Sequence, residues 1–454
     1  MSTTVVNDLK HVVGIIGGAI AGSTAAQILA DAGVIVVVLE QNIRPYGKIE
    51  DGLPRWHTKQ RLMEYERINS RLDRPGVFFV PQTRLGTDVG FQELVREWGF
   101  SAVILANGAW KDRPLPAEGI DRYLGKGLIY QNPFIYWFNH KNEKAYAGPR
   151  YEIPGGTIVI GGGLASIDVV KAVQVEQYEA ALRSRGVNVT MLELEHKGIP
   201  AVCAEHQINP DELGVQDVVL YYRRRDIDMP LAQPPDNPTP EQIEKIQTVR
   251  KKILAKVLEK YRVHFKERHL PVAALTEGDQ LVGLRFVRTQ VEGRNFKSIP
   301  GSEIDVRTPL VISSVGSIPE PIPGVEMKGE FYSFKDWDTG EYATVEGVFG
   351  LGNVVTGQGN IDLSRKHAAS VSKLILENYL GVSNGDRDIS AVLNAGQDRG
   401  REQAEKVKEY LRGKGPLPPE KVNAILARVS NRMRDVGYTS YREYIQKVTP
   451  SDLE

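Results

Sequence analysis

Hydrophobic and polar positions along the chain form two similar units, each an apolar run, a turn of small residues and a helical stretch. The first apolar run, Val12–Ile16, is short and rich in β-branched residues, which predicts a strand buried on both faces of a parallel sheet. Residues 17–22 form the small-residue turn, and residues 23–32 form an alanine-rich helix. A second apolar run over residues 34–39 predicts another strand, which ends at Glu40.

The turn at residues 17–22 has the composition of a nucleotide site. Its backbone N–H groups would point toward the ligand at the helix start, where donors and the helix dipole together hold a pyrophosphate. Gly17 and Gly22 fit a G-x-G-x-x-G pattern, whereas Ala19 takes the middle position, where glycine lets the backbone approach the ligand. Glu40 follows about twenty positions later, where a carboxylate would accept hydrogen bonds from a ribose. A tight turn without a ligand is the alternative interpretation.

A second unit of this kind begins near residue 157. Residues 157–160 predict a strand, and residues 167–175 predict a helix. Between them, Gly161, Gly163 and Ser166 occupy the three turn positions, of which the third needs a small residue for helix–strand packing. Two well-separated units favour two bound dinucleotides. A pair of unrelated tight turns is the alternative.

The residue that contacts the second ribose has two candidates. Residues 187–194 are interpreted as a strand that ends near Glu193 and Glu195, and a glutamate there favours the free 2′-hydroxyl of NADH. Residues 218–222 predict another strand, which runs into three arginines at residues 223–225. Because guanidinium groups bind phosphate well, the arginines favour the 2′-phosphate of NADPH, while Glu193 stays open. An exposed basic cluster is the further alternative.

Other patterned stretches complete the predicted architecture. Residues 239–242 form a capping box with proline at the first helical position, which predicts that a charged helix begins there and runs toward Tyr261. Strands are also predicted at residues 100–105, 281–289, 310–315 and 348–351, and helices at residues 55–71, 91–98 and 367–379. Beyond Gly385 the chain is charged and helical, and prolines at 416, 418 and 419 divide it into two parts.

Composition narrows the classes of protein. A chain of 454 residues predicts two or three domains. Lys plus Arg and Asp plus Glu are equal at 57 each, so no global charge indicates a nucleic-acid or membrane partner. No apolar run reaches the roughly 18 residues of a membrane span, and the N-terminus lacks the pattern of a signal peptide, which predicts a cytoplasmic protein. The single cysteine, Cys203, excludes an intramolecular disulfide, a dithiol redox pair and a cysteine-ligated iron–sulfur cluster.

A set of motifs in a fixed order carries a resemblance to a known family. The motifs are the glycine turn with Glu40, then YGKIEDGLP, ANGA, IVIGGGLASIDVV, YYRRRDIDMP, SSVGSIPEPIPG and GLGNVVTGQGNI. In this order they resemble the two-dinucleotide-binding-domain flavoprotein reductases. Within that family the chain is most similar to the adrenodoxin reductase type of ferredoxin–NADP reductase and to the glutamate synthase small subunit. The resemblance covers roughly residues 10–380.

The resemblance implies an α/β fold with two Rossmann-like dinucleotide-binding domains and a helical C-terminal extension. The FAD-binding domain would be discontinuous, formed by residues 1–112 and 319–385, with an NAD(P)H-binding domain of residues 113–318 inserted and the extension at residues 386–454. The implied cofactors are FAD and NADPH. The glutamate synthase small subunit carries an N-terminal cysteine-rich cluster domain, whereas here the first strand begins near residue 12, which favours a stand-alone reductase.

The resemblance also implies cofactor contacts residue by residue. For FAD the expected residues are Gly17, Ala19, Ala21, Gly22, Glu40, Gln41, Gly47, Lys48, Gly52, Leu53, Pro54, Ala106, Asn107, Gly108, Gly352, Asn353, Gln358, Gly359, Asn360 and Ile361. For NADPH they are Gly161, Gly163, Leu164, Ala165, Ser166, Asp168, Arg223 and Arg224. Three positions depart from the family pattern, with Ala19 in place of glycine, Leu164 in place of asparagine and Asn353 in place of aspartate.

The implied chemistry needs no protein nucleophile and no metal, because hydride passes from the nicotinamide to flavin N5 while the protein supplies position and electrostatics. The expected acceptor is a ferredoxin-like protein, and a basic helix would form its docking face through Arg55, His57, Lys59, Arg61 and Arg67. A solvated helix face is the alternative for these residues. Other functional alternatives are a flavoprotein subunit that docks on a larger electron-transfer complex through residues 386–454, a reductase of a quinone or small molecule, and a non-catalytic nucleotide sensor.

Overall fold

The first part of the chain builds a parallel sheet from short apolar strands. The computed structural model describes residues 6–356, except 233, 235–237, 294 and 338, and residues 390–450. Its first elements, in chain order, are β1 (Val12–Ile16), α1 (Ile20–Asp31), β2 (Ile35–Leu39), α2 (Lys48–Asp51), α3 (Thr58–Leu72), β3 (Val77–Val80), α4 (Phe91–Arg96) and β4 (Ala102–Leu105). Strand β1 pairs in parallel with both β2 and β4, and all five of its residues are buried. The apolar runs therefore predicted these strands correctly.

The middle of the chain builds a second parallel sheet and a four-stranded antiparallel one. In chain order its elements are β5 (Lys111–Asp112), β6 (Leu128–Tyr130), α5 (Gln131–His140), β7 (Ile158–Gly161), α6 (Leu164–Ser184), α7 (Met191–Lys197), α8 (Ile199–Glu205), β8 (Val219–Tyr221), α9 (Pro240–Tyr261), β9 (His264–Lys266), β10 (His269–Glu277), β11 (Gln280–Glu292), β12 (Asn295–Ser298), β13 (Ile304–Arg307), β14 (Val311–Ser314) and β15 (Ser317–Ile318). The parallel sheet has the strand order β6-β14-β7-β8-β9. Strands β10–β13 form the antiparallel sheet beside it.

The chain then returns to the first sheet. The returning elements are β16 (Met327–Lys328), β17 (Phe331–Tyr332), β18 (Phe334–Asp336), β19 (Glu341–Tyr342), β20 (Val348–Gly350) and α10 (Asn353–Thr356). Strands β18, β19 and β20 extend the first sheet to seven strands in the order β18-β19-β20-β4-β1-β2-β3. Strands β5 and β15 pair with each other where the chain leaves and re-enters the first part. The domain boundaries at residues 112, 318 and 385 stay predictions.

Three helices follow the last strands: α11 (Ser390–Arg412), α12 (Pro419–Asp435) and α13 (Tyr441–Val448). The prolines predicted two helical parts, whereas Gly437, with a φ of 67°, ends α12 and allows a further helix. The predicted helix at residues 367–379 lies outside the described residues. In the part of the chain that the structure describes, no helix has both the length and the apolar character needed to span a membrane.

The strand predicted at residues 187–194 is wrong, because this segment ends in the helix α7. Thr190 accepts a hydrogen bond from the backbone N–H of Glu193 and so caps the helix. A threonine followed three residues later by a glutamate is a helix-start signature, which the apolar pattern of the segment concealed. Strand β8 consequently pairs directly with β7, and its carboxyl end carries the arginines. The capping box at Thr239 and the helix that it opens are confirmed.

Candidate functional site

The two glycine turns border one cavity of 780 Å³. Gly17 follows β1, and Gly161 ends β7, so both turns lie at the carboxyl ends of parallel strands. In open α/β sheets this is the edge where ligands bind, because helix N-termini converge there. The cavity therefore places the two predicted nucleotide sites side by side.

The first turn has no room for side chains at its glycines. Gly17 has a φ of 104°, and a Cβ there would lie 2.6 Å from the carbonyl oxygen of Ala106. A Cβ at Gly22 would overlap the carbonyl oxygen of Gly17, so the turn and helix α1 pack backbone against backbone. No side chain caps the start of α1, whose N-cap is Ala19. Its first N–H groups are therefore left for a ligand.

Ala19 is accommodated by a second glycine rather than by distortion of the turn. A Cβ at Gly47 would lie 2.9 Å from the Ala19 methyl group, and Gly47 has a φ of 53° that favours glycine. The missing side chain at Gly47 thus gives the Ala19 methyl group its space. The departure from the glycine pattern is compensated in the loop that follows β2.

Glu40 ties the end of β2 to the first turn. Its carboxylate accepts hydrogen bonds from the backbone N–H groups of Gly18, at 2.8 Å, and Asn42, at 2.9 Å. The side chain is buried at the cavity wall, and this burial raises its pKa to about 7, although the two N–H donors oppose the shift. Glu40 therefore holds the turn in shape and contributes acceptor oxygen atoms to the cavity.

The second turn is packed in the same manner. A Cβ at Gly161 would lie 2.5 Å from the carbonyl oxygen of Ser314, and Ser166 donates a hydrogen bond from Oγ to the carbonyl oxygen of Gly163 at 2.6 Å. A Cβ at Gly162 would overlap the ring of Tyr222, so this residue, which the sequence pattern left unassigned, is also required to be small. Gly163 supplies no side-chain cap to α6, which leaves its N-terminal N–H groups for a ligand.

The arginines after β8 differ from one another. Arg223 lines the cavity, and its guanidinium lies 5.0 Å from the ring centre of Phe296. Arg224 donates a hydrogen bond to the carbonyl oxygen of Gly293 at 2.7 Å and faces Asp228 at 3.5 Å, and it does not line the cavity. Arg223 is thus the better placed of the predicted pair.

The two glutamates that are the alternatives to the arginines lie away from the cavity. Glu193 pairs with Lys197 at 2.9 Å on α7, and Glu195 is buried 3.0 Å from the Lys171 amine. Neither lines the cavity, since the strand that would have carried them there is a helix. The interpretation of Glu193 as the ribose contact is wrong for this arrangement.

Most of the predicted cofactor residues meet at this cavity. Those that line it are Gly17, Ala19, Ala21, Glu40, Gln41, Gly47, Lys48, Gly52, Leu53, Ala106, Asn107, Gly108, Gly161, Gly163, Leu164, Ala165, Asp168, Arg223, Gly352 and Asn353. Gly22 and Ser166 lie beneath the turns, and Pro54 and Arg224 lie beside the cavity without lining it. Gln358, Gly359, Asn360 and Ile361 lie outside the described residues.

Helix α11 contributes a wall that the sequence analysis missed. Leu393, Gly396 and Arg399 line the cavity, and Arg399 donates a hydrogen bond to Oδ1 of Asn353 at 3.2 Å. The helix packs closely on α1, because a Cβ at Gly396 would lie 2.7 Å from Ile20 Cγ2 and one at Gly400 would lie 2.5 Å from the carbonyl oxygen of Ala21. The spacing of these two glycines, four residues apart, is the signal that could have indicated a close helix contact.

The predicted basic docking face is wrong for two of its five residues. His57 is fully buried and accepts a hydrogen bond from Trp56 Nε1 at 3.1 Å. Arg61 is also buried and donates to the carbonyl oxygen of Glu50 and to the hydroxyl of Tyr65. His57 lies in the 3-10 turn Arg55–His57 just before α3, whereas Arg61 lies on the face of α3 that packs against α2. Lys59 and Arg67 are exposed, and Arg55 is half-buried.

Sequence relatives of the chain include oxidoreductase subunits, although no family model matches it. Over 178 residues it is 32% identical to the glutamate synthase [NADPH] small chain of Bacillus subtilis, and this alignment covers 37% of this chain and 34% of that protein. Over 320 residues it is 26% identical to the NADPH-Fe(3+) oxidoreductase subunit beta of Geobacter sulfurreducens, and this alignment covers 68% of this chain and 37% of that protein. The chain thus spans about a third of the length of these curated relatives.

A solved structure matches almost the whole chain. It is Mycobacterium tuberculosis FprA in complex with NADPH, which superposes with a TM-score of 0.64 at 17% sequence identity and covers 94% of this chain and 91% of that one. The chain has the FprA fold. This match confirms the predicted α/β architecture of two dinucleotide-binding units with a helical C-terminal part. Together with the sequence relatives, it confirms the motif resemblance.

Proposed function

We propose that the chain is an FAD-dependent NADPH oxidoreductase that passes electrons to a ferredoxin-like protein. The observation that carries the proposal is that two glycine turns, each at the start of a helix, open into one cavity. Two dinucleotides held in this way would bring their reactive rings together, which hydride transfer requires. The NADPH named in both relatives supports the choice of reductant.

The residues of the first turn fit FAD. A Cβ at Gly17 or Gly22 would fill the space that the backbone needs, and the uncapped start of α1 offers N–H donors to a pyrophosphate. Glu40 would accept hydrogen bonds from the adenosine ribose, and Asn107, Gly108 and the loop at Gly47 would flank the flavin. The bound flavin supplies the redox chemistry, since it takes hydride from a nicotinamide and passes electrons on.

The residues of the second turn fit NADPH. Gly161, Gly163 and the start of α6 would hold the pyrophosphate, and Arg223 would bind the 2′-phosphate through its guanidinium group. Phe296 beside that guanidinium would keep it oriented. Cys203 is buried on α8, away from the cavity, and a chain with one cysteine offers no disulfide relay. The protein's own role is to position both ligands and exclude water between them.

The test of the reductase proposal is anaerobic stopped-flow of the purified protein, with flavin absorbance followed after mixing with NADPH or NADH. Rapid bleaching by NADPH and slow bleaching by NADH is the expected result. In Arg223→Ala the NADPH dissociation constant should rise at least about tenfold while that for NADH stays close to wild type, since a charge-assisted hydrogen bond contributes about 1.5–3 kcal/mol. Arg225→Ala is the matched control, because Arg225 pairs with Asp228 at 2.8 Å outside the cavity. Absence of flavin, or bleaching by neither nucleotide, would contradict the proposal.

The exposed face of α3 is the proposed docking surface for the acceptor. Leu62 and Met63 are 46% and 48% exposed there, and they are flanked by Lys59 and by Arg67, which also pairs with the buried Glu64. Apolar side chains bordered by positive charge suit an acidic electron-transfer protein, because charge steers the encounter and apolar area stabilises the complex. The second candidate, a subunit of a larger complex, is supported by the names "small chain" and "subunit beta" of the relatives.

The docking surface is tested by reversing its charge. Lys59→Glu with Arg67→Gln should lower the rate of ferredoxin reduction several-fold at low salt and leave flavin bleaching by NADPH unchanged, because glutamine can still donate a hydrogen bond to the buried Glu64 and only the protein–protein encounter is affected. Lys297→Glu with Lys335→Glu is the control, since both lysines are exposed, at 73% and 65%, on other surfaces. Equal rates for the two double variants would refute this surface. Co-purification of the native protein with a stable partner would favour the complex subunit instead.

A further inference from the structure

Lys48 is a positively charged side chain in the wall of the cavity. It begins α2, and its Nζ donates hydrogen bonds to Oδ1 of Asn132 at 3.2 Å and to Oγ of Ser317 at 3.1 Å. The amine also lies 5.7 Å from the ring centre of Trp110. An ammonium group has three N–H donors, so these two bonds leave one for a ligand in the cavity. The side chain is therefore fixed in position and still able to bind.

A chain of contacts places this amine between the two nucleotide turns. On one side, Gly47 next to Lys48 lies against Ala19 of the first turn. On the other side, Gln131 next to Asn132 accepts a hydrogen bond from Ser314 Oγ at 2.5 Å. Ser314 is the register partner of Gly161 in the second turn. Lys48 thus lies in the space where ligands that extend from both turns would meet.

We propose that Lys48 is a cation that stabilises reduced flavin in this protein and so raises the reduction potential of the cofactor. This inference rests on the proposed function. Hydride carries two electrons and one proton, so its transfer oxidises the nicotinamide and adds one negative charge to the flavin ring system. A fixed ammonium group near that ring lowers the free energy of the reduced form more than that of the oxidised form.

Lys48 and Asp112 are oppositely charged groups that are buried near each other beside the cavity. Burial lowers the pKa of Lys48 to about 8, and the carboxylate of Asp112 on β5 opposes the shift. Burial likewise raises the pKa of Asp112 to about 6, against hydrogen bonds from Asn132 and the charge of Lys48. Asn132 bonds to both residues and holds them at the β5–β15 pair. The cation is thus partly desolvated, which strengthens its field on a ligand.

The experiment is spectroelectrochemical titration of the flavin in the purified holoenzyme, without NADPH. Lys48→Met should lower the equilibrium constant for reduction at least about tenfold, which is about 30 mV for a two-electron couple. Lys48→Gln should lower this equilibrium constant to a similar extent. Lys48→Arg keeps the positive charge and should have the potential of the native protein. Lys111→Met removes the same charge from an exposed residue next to Asp112 and should leave the potential close to that of the native protein.

The outcomes separate this inference from the proposed function. Purified native protein without flavin would overturn the proposed function itself. A native potential in both Lys48→Met and Lys48→Gln, with flavin bound, would overturn the inference alone. Loss of flavin from both neutral variants would also overturn it, because Lys48 would then serve flavin binding rather than reduction. An equal shift in Lys111→Met would show a general charge effect and likewise overturn it.

Discussion

At the scale of residues, the candidate site depends on places where no side chain fits. The first turn needs bare backbone at Gly17 and Gly22, and Gly47 gives space to the Ala19 methyl group. The second turn needs bare backbone at Gly161 and Gly162. At Gly17, Gly22, Gly161 and Gly162 the neighbouring atom is a backbone oxygen or a packed ring, so an added methyl group cannot be absorbed by a flexible side chain.

Gly162→Ala tests this at a residue that the glycine pattern does not mark. The new methyl group would overlap Tyr222, whose neighbour is Arg223, so we expect a loss of about 1–3 kcal/mol of unfolding free energy and weaker NADPH binding. Gly415→Ala is the control for stability, because a Cβ there meets no atom within 4 Å and the residue belongs to neither glycine turn. Urea unfolding and NADPH titration of both variants measure the effects. Equal stability of the two variants would contradict the packing argument.

At the scale of elements, the cavity is completed by a helix that is remote in sequence. Helix α11 packs on α1 through Gly396 and Gly400, and this contact brings Arg399 to Asn353. The tail also covers β3, since Phe79 packs edge-on against Tyr441 with ring centres 5.2 Å apart. The C-terminal helices therefore pack against α1 and β3 as part of the first nucleotide unit.

Gly400→Ala tests the contact between α1 and α11. A methyl group there would lie 2.5 Å from the carbonyl oxygen of Ala21 and 2.7 Å from Thr24 Cβ, so the helices must separate. We expect a lower melting temperature and a flavin content below that of the native protein, despite the better helix propensity of alanine. Gly413→Ala is the matched control, because a Cβ there would meet its nearest atom at 3.6 Å. Full flavin content and an unchanged melting temperature in Gly400→Ala would refute the role of α11.

At the scale of the whole molecule, a buried histidine joins the two parts of the chain. His140 on α5 contacts Asp51 on α2 at 3.1 Å and Glu143 at 2.6 Å. Burial alone would lower the pKa of His140, but its hydrogen bonds to the two carboxylates raise it to about 9. The protonated ring is therefore part of the contact between the first and second nucleotide units.

His140→Gln tests this contact through pH. A histidine pKa raised from 6.5 to about 9 stabilises the folded protein fully below pH 6.5 and loses that effect as the pH rises toward 9. The variant should therefore lose on the order of 3 kcal/mol of unfolding free energy at pH 6 and much less at pH 9. Urea unfolding across this range measures the difference, with His196→Gln, an exposed histidine, as the control. A loss that does not change with pH would contradict this account.

Local sequence determined much of the fold and a large share of the site. The parallel strands, the two glycine turns and the helix that begins at Thr239 were all predictable, because strand burial, turn conformation and helix capping depend on residues only a few positions apart. Residues 187–194 are a segment for which the local prediction is wrong. Their apolar content predicted a strand, whereas the capping signature at Thr190 and Glu193 correctly indicates a helix.

Tertiary structure alone decided which side chains share the cavity. The packing of separate elements decides three features of the site. It turns His57 and Arg61 inward, keeps Glu193 away from the second turn, and brings Arg399 next to Asn353. Lys48 acquires its place between the two turns only because Asn132 and Ser317, far along the chain, accept its hydrogen bonds. The sequence by itself determined the two nucleotide-binding units, because the strand, the glycine turn and the helix of each unit follow one another directly along the chain. Their common cavity and its charges came from packing, because contacts between distant residues leave no periodic pattern in the chain.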